Sequence, residues 1–305
     1  MALFKLSKKV LTPIKEKRID LEKTLQTTIE ENLDETFGLE FVATELSLHN
    51  FRIDTLAFDN ETQSFVIIEY KKDKSISIVD QGFSYLSLLL NNKADFVLEY
   101  NQETKKNTKK KDIDWSQTRI IFIANSFTTH QRNAINFRDL PIELFEVKLY
   151  EKDIISIDQI KPTNASESIK TVSKSELVSK VSREIKEYTV DDHFKLGQEK
   201  LKEIYDELRD RLLALDDRII ENPVKVYIGY KIGKSIVFSV RVYKSKLHLD
   251  IAGFLKKDLK DPEKRLFNIP ESYEWGKVCY MKITKKEDLD YAMFLAKQAW
   301  EKFGK

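Results

Sequence analysis

Three residues combine types and spacing that could do chemistry: Asp54 in "FRIDTLAF" (51–58), and Glu69 and Lys71 in "SFVIIEYKK" (64–72). On a strand, side chains alternate between faces, so Glu69 and Lys71 emerge on the same side. The turn-rich "DNETQS" (59–64) separates the two runs. An antiparallel pair folded there brings Asp54 beside Glu69. Two neighbouring carboxylates repel unless a cation lies between them, so the pair asks for a divalent metal. A hard ion, Mg²⁺ or Mn²⁺, would take an oxygen from each carboxylate, a backbone carbonyl near Tyr70, and waters. Lys71 would then face a metal-bound water or a phosphate oxygen. Charge neutralisation, an activated water and a cation near developing negative charge are the minimum for hydrolysing a phosphodiester.

Glu-x-Lys alone carries little information in this chain, because it recurs at Glu103/Lys105, Glu146/Lys148 and Glu184/Lys186. The first falls in a polar loop, and the third in a helical segment where i and i+2 do not share a face. Glu146/Lys148 lies on an expected strand but lacks a carboxylate at hairpin distance. The bland alternative for Asp54, Glu69 and Lys71 is a surface ion-pair cluster, worth about 0–1 kcal/mol. Glu45 could line the same site from the preceding strand, and Arg52 could face phosphate or pair with a carboxylate.

The elements that must position these residues follow from hydrophobic spacing. Leu21, Leu25, Ile29 and Leu33 step by four along an amphipathic helix over 20–37, closed by Gly38. Strand-like runs follow at 39–46, 51–58 and 65–70, then a helix over 77–92. "ADFVLEY", "TRIIFIA" and "IELFEVKLY" read as further strands, with a short helix "THQRNAINF" between the last two. Residues 161–182, rich in Ser, Lys and Thr, read as a linker. A second unit opens with the helix "EKLKEIYDELRDRLLALDDRI", continues through "VKVYIGYKI", "SIVFSVRVY" and "KLHLDIAGF", and closes on "DLDYAMFLAKQAWEKF". The expected division is 1–160, a linker over 161–195, and an α+β domain over 196–305.

The run of "RID-T-L-A-F-D", "V-I-I-E-Y-K-K" and "D-Q-G-F-S-Y-L" resembles the PD-(D/E)XK nuclease superfamily, in the branch with NucS-type endonucleases and their uncharacterised bacterial relatives. The likeness covers about residues 20–150. It implies an α/β, restriction-endonuclease-like N-terminal domain with an αβββαβ core, in agreement with the element order read independently. It also implies metal ligands at Asp54 and Glu69, with Lys71 as the catalytic lysine. Gln81 and Tyr85 match the supporting Gln and Tyr of the NucS pattern, and their spacing of four puts them on one helical face. The family places an acidic residue in its first helix; Glu22 fits best by spacing, with Glu30 as competitor. Ile53 stands where the nominal "PD" has proline. The C-terminal part resembles a domain of unknown function that accompanies such units in bacterial proteins, through "DDRIIENPVKVYIGYK", "LHLDIAGF" and "KDLKDPEKR". The implied activity is a Mg²⁺- or Mn²⁺-dependent endonuclease acting on DNA, in repair or in defence against foreign DNA. The rival reading is an inactive nuclease-fold module that binds nucleic acid or protein. Two cuts across a duplex would need two sites, hence a homodimer.

Composition narrows the field further. The net charge is only +2, so a polyanion site must be local. The single cysteine, Cys279, excludes a disulfide framework and a cysteine-based zinc site. No apolar run approaches the roughly 18–20 residues of a membrane helix, and "MALFKLSKKVL" lacks a signal-peptide core; a cytoplasmic protein is expected. His49, His130, His193 and His248 show no metal-ligand spacing. The lysine-rich 105–111 with Trp115 beyond it reads as a solvated loop, with phosphate gripping as the sharper option. Tyr227, Tyr230, Phe238 and Tyr243 alternate as core strand residues would, with base stacking as the alternative. No Gly-rich phosphate loop or Gly-x-Ser-x-Gly elbow occurs, which removes nucleotide hydrolysis and serine-esterase chemistry.

Overall fold

The computed structural model describes residues 3–17, 22–71, 77–137, 139–163, 167–172, 175–269 and 276–303. Contacts divide the chain into two units, Met1–Glu187 and Tyr188–Lys305. The first begins with β1 (Leu3–Ser7), β2 (Val10–Ile14) and β3 (Glu16–Lys17). β1 and β2 form a separate hairpin that exposes Phe4, Leu6, Val10 and Leu11. Then come α1 (Glu22–Glu30), α2 (Leu33–Phe37), β4 (Glu40–Leu48), β5 (Phe51–Asp59), β6 (Ser64–Lys71), α3 (Ile78–Asn91) and α4 (Lys93–Thr104). The unit closes with β7 (Arg119–Ala124), α5 (Thr129–Ala134), β8 (Ile142–Tyr150), β9 (Ile154–Ile160), α6 (Ile169–Val172) and α7 (Glu176–Glu184).

The main sheet of this mixed α/β unit runs β3–β8–β7–β6–β5–β4, with β9 also on β8. β4, β5 and β6 pair antiparallel, whereas β6, β7 and β8 pair parallel. β6 is therefore central and covered on both faces, which explains its unbroken apolar run. Phe65 and Ile67 join a core with Phe83, Leu86 and Leu90 of α3 and Phe96 of α4. Val66 and Ile68 join another with Leu25 and Ile29 of α1. Gly82 sets the close approach of α3 to the sheet: a Cβ there would lie 2.6 Å from Ile142 Cδ1 and 3.4 Å from Ile120 Cγ2.

Three features differ from the expectations above. The helix over 20–37 is two helices, α1 and α2, interrupted at residues 31 and 32; Gly38 does close α2, at φ 68°. "ADFVLEY" lies in α4 rather than in a strand. Its apolar run suits either structure, but Phe96 and Tyr100, four apart, are the residues buried, while Leu98 is 57% exposed. The expected linker over 161–195 contains α6 and α7, and α7 packs against α3. Its polar composition masks the helical spacing of Val178 and Val181, both buried in the α3 core.

The second unit holds α8 (Glu199–Leu213), β10 (Ile220–Pro223), β11 (Ile228–Ile232), β12 (Ser235–Val242), β13 (Leu247–Ala252), β14 (Leu266–Asn268), β15 (Val278–Ile283) and α9 (Asp288–Phe303). Its six-stranded sheet runs β10–β11–β12–β13–β15–β14, antiparallel throughout. α9 packs on β12, β13 and β15. Tyr205 and Leu208 of α8 and Leu289 and Leu295 of α9 share one core with Tyr230, Phe238, Leu249 and Met281.

Candidate active site

The β5–β6 ladder pairs Thr55 with Ile68 and goes no further. One residue on, the Asp54 side chain replaces a backbone partner: the Tyr70 N–H donates to Asp54 Oδ2 at 3.0 Å. The strands thus part where the charged residues begin. On the other side of β5, Thr44 pairs with Thr55 and Leu46 with Ile53, leaving Glu45 opposite Asp54 at φ 54°. A left-handed backbone at a non-glycine residue is uncommon, and here it marks an irregularity beside the site. Gln26 of α1 secures the bend, its Nε2 donating to the Asp54 carbonyl at 2.9 Å and to Thr44 Oγ1 at 3.2 Å.

Glu69 sits at the centre and is 5% exposed. Its Oε1 accepts from Lys71 Nζ at 2.9 Å, Tyr85 Oη at 3.3 Å and Gln81 Nε2 at 3.4 Å. The single Tyr85 O–H is shared with the Arg52 carbonyl, its nearer acceptor at 2.9 Å, which ties α3 to β5. One carboxylate oxygen thus draws three donors from two elements, while its twin, Oε2, is buried with no hydrogen-bond partner. The Gln81 side-chain oxygen is buried and unpartnered as well. Unpaired buried acceptors are costly. Burial, and next the charge of Asp54, push the Glu69 carboxyl up to about 7, against the ammonium of Lys71 and its hydrogen bond. Burial raises Asp54 too, opposed by the Tyr70 N–H and by Lys71.

The structure therefore brings together Asp54, Glu69, Lys71, Gln81 and Tyr85. It does not bring Glu30, which accepts from Thr55 Oγ1 and Gln26 Nε2 within the α1 network. The backbone of Glu22 opens α1, and its side chain lies outside the described residues. Glu45 pairs with Lys23 at 3.0 Å and with Arg52. Burial raises the Glu45 carboxyl, but hydrogen bonds from Lys23 and Arg52 outweigh it and hold it below its ordinary value. Gln26, 4% exposed, is the positioning residue that sequence reasoning missed. Its signal was a polar stripe, Glu22, Gln26 and Glu30, stepping by four beside the apolar one. In the lysine-rich loop, Lys106 is held by Glu40 at 2.7 Å and Tyr100 at 2.8 Å.

Hard oxygen donors suit Mg²⁺ or Mn²⁺, and two carboxyls both raised by burial, Glu69 further by the charge of Asp54, beside two orphaned oxygens fit such an ion. Asp54 and Glu69 are the residues that would hold it. Among the described residues no group of three or more His, Cys, Asp or Glu side chains is arranged for a metal, so the rest of any shell would be amide, backbone or water oxygen.

Comparison with known proteins gives three kinds of likeness. Residues 190–302 match the "Domain of unknown function (DUF5655)". Two solved structures share part of the chain. One is a repair endonuclease from Pyrococcus abyssi, at 18% identity over 43% of this chain and 50% of that one, with a TM-score of 0.24. The other is a complex of EndoMS with double-stranded DNA, at 15% identity over 48% of this chain and 64% of that one, with a TM-score of 0.25. The match spans less than two thirds of either solved chain. An "Uncharacterized protein" of Haemophilus influenzae is 40% identical over 302 residues, which is 98% of this chain and 99% of the relative. With likeness of that level running from end to end, the chain belongs to the same family as the Haemophilus influenzae protein.

Proposed function

We propose that the first unit is a metal-dependent endonuclease of the PD-(D/E)XK type, with the restriction-endonuclease-like αβββαβ core formed by α1, β4, β5, β6, α3 and β7, and that its substrate is DNA. The observation that carries this reading is the convergence of Lys71, Tyr85 and Gln81 on one oxygen of Glu69 beside Asp54, with the second oxygen buried and unpaired. A solvated ion pair would leave both oxygens to water. Mg²⁺ or Mn²⁺ held by Asp54 and Glu69 would supply Lewis-acid activation of water and neutralise phosphate charge. Lys71 opposes the burial that favours a protonated Glu69 and presents an ammonium where negative charge develops. Tyr85 and Gln81 fix the Glu69 carboxylate in one orientation, and the Tyr70 N–H does the same for Asp54. Both strands of a duplex would require two such sites, which a homodimer supplies. Repair and defence against foreign DNA are the two roles consistent with this activity.

The test is cleavage of single-stranded, branched and mismatched DNA in Mg²⁺ and in Mn²⁺ by the wild type, Asp54→Ala and Lys71→Ala. Cutting by the wild type alone is expected. Equal cutting by all three would remove the assignment of catalysis to these residues, and DNA retention without turnover in either metal would leave the nuclease-fold binding module as the better account.

A further inference from the structure

The second unit carries a row of rings on the sheet face opposite its helices. The register sets Arg241 across from His248 and His248 across from Lys282; one row over, Ser239, Asp250, Tyr280 and Phe267 line up. Tyr243, just past β12, lies 4.4 Å from the His248 ring. His248 stacks on Tyr280 at 4.6 Å and 15°, and Tyr280 stacks on Phe267 at 5.4 Å and 26°. Four rings thus follow one another from the loop after β12 to the edge strand β14. The two ends of the row are open, Tyr243 at 38% exposure and Phe267 at 42%. Both nitrogens of His248, itself 7% exposed, are buried without a hydrogen-bond partner. A core selected only for stability rarely keeps so unsatisfied a ring; here it serves as a flat spacer between two tyrosines.

Positive charge surrounds the row. Arg241 lies 5.8 Å from the Tyr243 ring and 5.5 Å from that of Tyr280. It also grips Asp250 through two bonds of 2.8 and 2.7 Å, which cancels the one buried acid on this face. Lys246 sits 5.8 Å from the Tyr243 ring and Lys282 4.3 Å from that of Phe267. Neither lysine has a carboxylate partner among the described residues. Tyr243 also lines a cavity of about 540 Å³ with His193, Lys195, Gln198 and Lys244, so the row continues into a recess with two more lysines.

We propose that this face is a stacking platform for single-stranded DNA. The exposed rings at the two ends of the row, Tyr243 and Phe267, each with a lysine against it, fit a strand whose bases offer π-faces and whose phosphates run alongside. An acidic peptide would use the lysines but leave the rings idle, and a duplex has its bases already stacked on one another. The choice of DNA over RNA rests on the nuclease reading of the first unit; the platform itself does not.

The experiment is fluorescence anisotropy of labelled oligo(dT) with the full chain in EDTA, so that binding is read without turnover. Phe267→Ala and Tyr243→Ala replace exposed side chains, and circular dichroism melts verify the fold. Each is expected to weaken Kd roughly tenfold, as loss of one stacked base does. Lys246→Glu with Lys282→Glu should weaken it further and flatten its salt dependence. Wild-type affinity in both aromatic variants, or no binding of oligo(dT) at all, overturns the platform. Tenfold preference for oligo(U) overturns the assignment to DNA. Loss of cleavage in the Asp54 variant with unaltered oligo(dT) binding bears on the first unit alone, so the two proposals fail separately.

Discussion

The sheet of the first unit is covered by helices on both faces, with α3 and α4 on one side and α1 on the other; that of the second is packed by α8 and α9 into a single core. That difference decides where polar chemistry can reside. A sheet buried on both faces can present charged side chains only where its strands separate, and there Asp54 and Glu69 emerge from β5 and β6. A sheet whose helices pack into one core can spread rings and cations across several strands on its other face. Their electrostatics are opposite in sign. Burial and Asp54 lift Glu69 to about 7, whereas burial and the charges of Arg241, Lys246 and Lys282 depress His248 to about 4. Among the described residues the first locality sets two carboxylates against the Lys71 ammonium, and the second sets Arg241, Lys246 and Lys282 against the single carboxylate of Asp250; the two proposals differ in the sign of the charge each site would take.

The sharpest break in this comparison is turnover. Lys71→Ala removes the one ammonium bonded to Glu69 among the described residues and should reduce cleavage by about 10²–10³-fold, the usual effect of losing a group that stabilises developing charge. Asp54→Ala should lose at least as much. Gel-based initial rates on the preferred DNA substrate measure both. A reduction of less than about tenfold would mean that the carboxylate corner of the first unit is structural only.

Much of this site was legible in the sequence because strand alternation is strict: Glu69 and Lys71 share a face by parity, and "DNETQS" fixes a hairpin that carries Asp54 to them. Gln81 and Tyr85 came from the family resemblance, and helical spacing only put them on one face. The role of Gln26 was not legible: the polar stripe at four-residue steps marks only its face of α1, and the role depends on a tertiary hydrogen bond to the Asp54 carbonyl that no local pattern encodes. The left-handed Glu45 is equally silent, since glutamate carries no turn preference. α7 was hidden by serines and lysines on its solvent face, and the strand reading of 94–100 failed because a short apolar run fits either period. In the second unit, Tyr243 was grouped with Tyr230 and Phe238. The latter two are fully buried, whereas Tyr243 is 38% exposed, a distinction that parity could not make beyond the end of β12.

The next effect is on stability. Burial and the charge of Asp54 raise Glu69 to about 7 in the folded chain from an ordinary 4.5, so between those values the folded state holds more protons than the unfolded. Stability must therefore fall as pH rises from 4.5 toward 7 and level off above. Glu69→Gln abolishes that dependence and should stabilise the metal-free protein at pH 8 by about 2–3 kcal/mol. Urea unfolding in EDTA at pH 5 and pH 8 checks the sign. Added Mg²⁺ should stabilise the wild type and leave the variant unchanged, since an ion that binds only the folded state shifts stability by mass action.

The smallest effect is in the second unit and runs the other way. A histidine depressed to about 4 in the fold from an ordinary 6.5 binds fewer protons folded than unfolded between those values. Its contribution is complete above pH 6.5 and is lost as pH falls toward 4. His248→Phe keeps a ring between Tyr243 and Tyr280 while removing the titration, so the variant should gain about 1–2 kcal/mol over the wild type at pH 5 and little at pH 7.5. Hydrogen exchange at the β13 amides reads this unit without interference from the first. If both proteins lose protection equally between pH 7.5 and pH 5, the imidazole is not held neutral by the cations around it, and the contrast in sign between the two units fails.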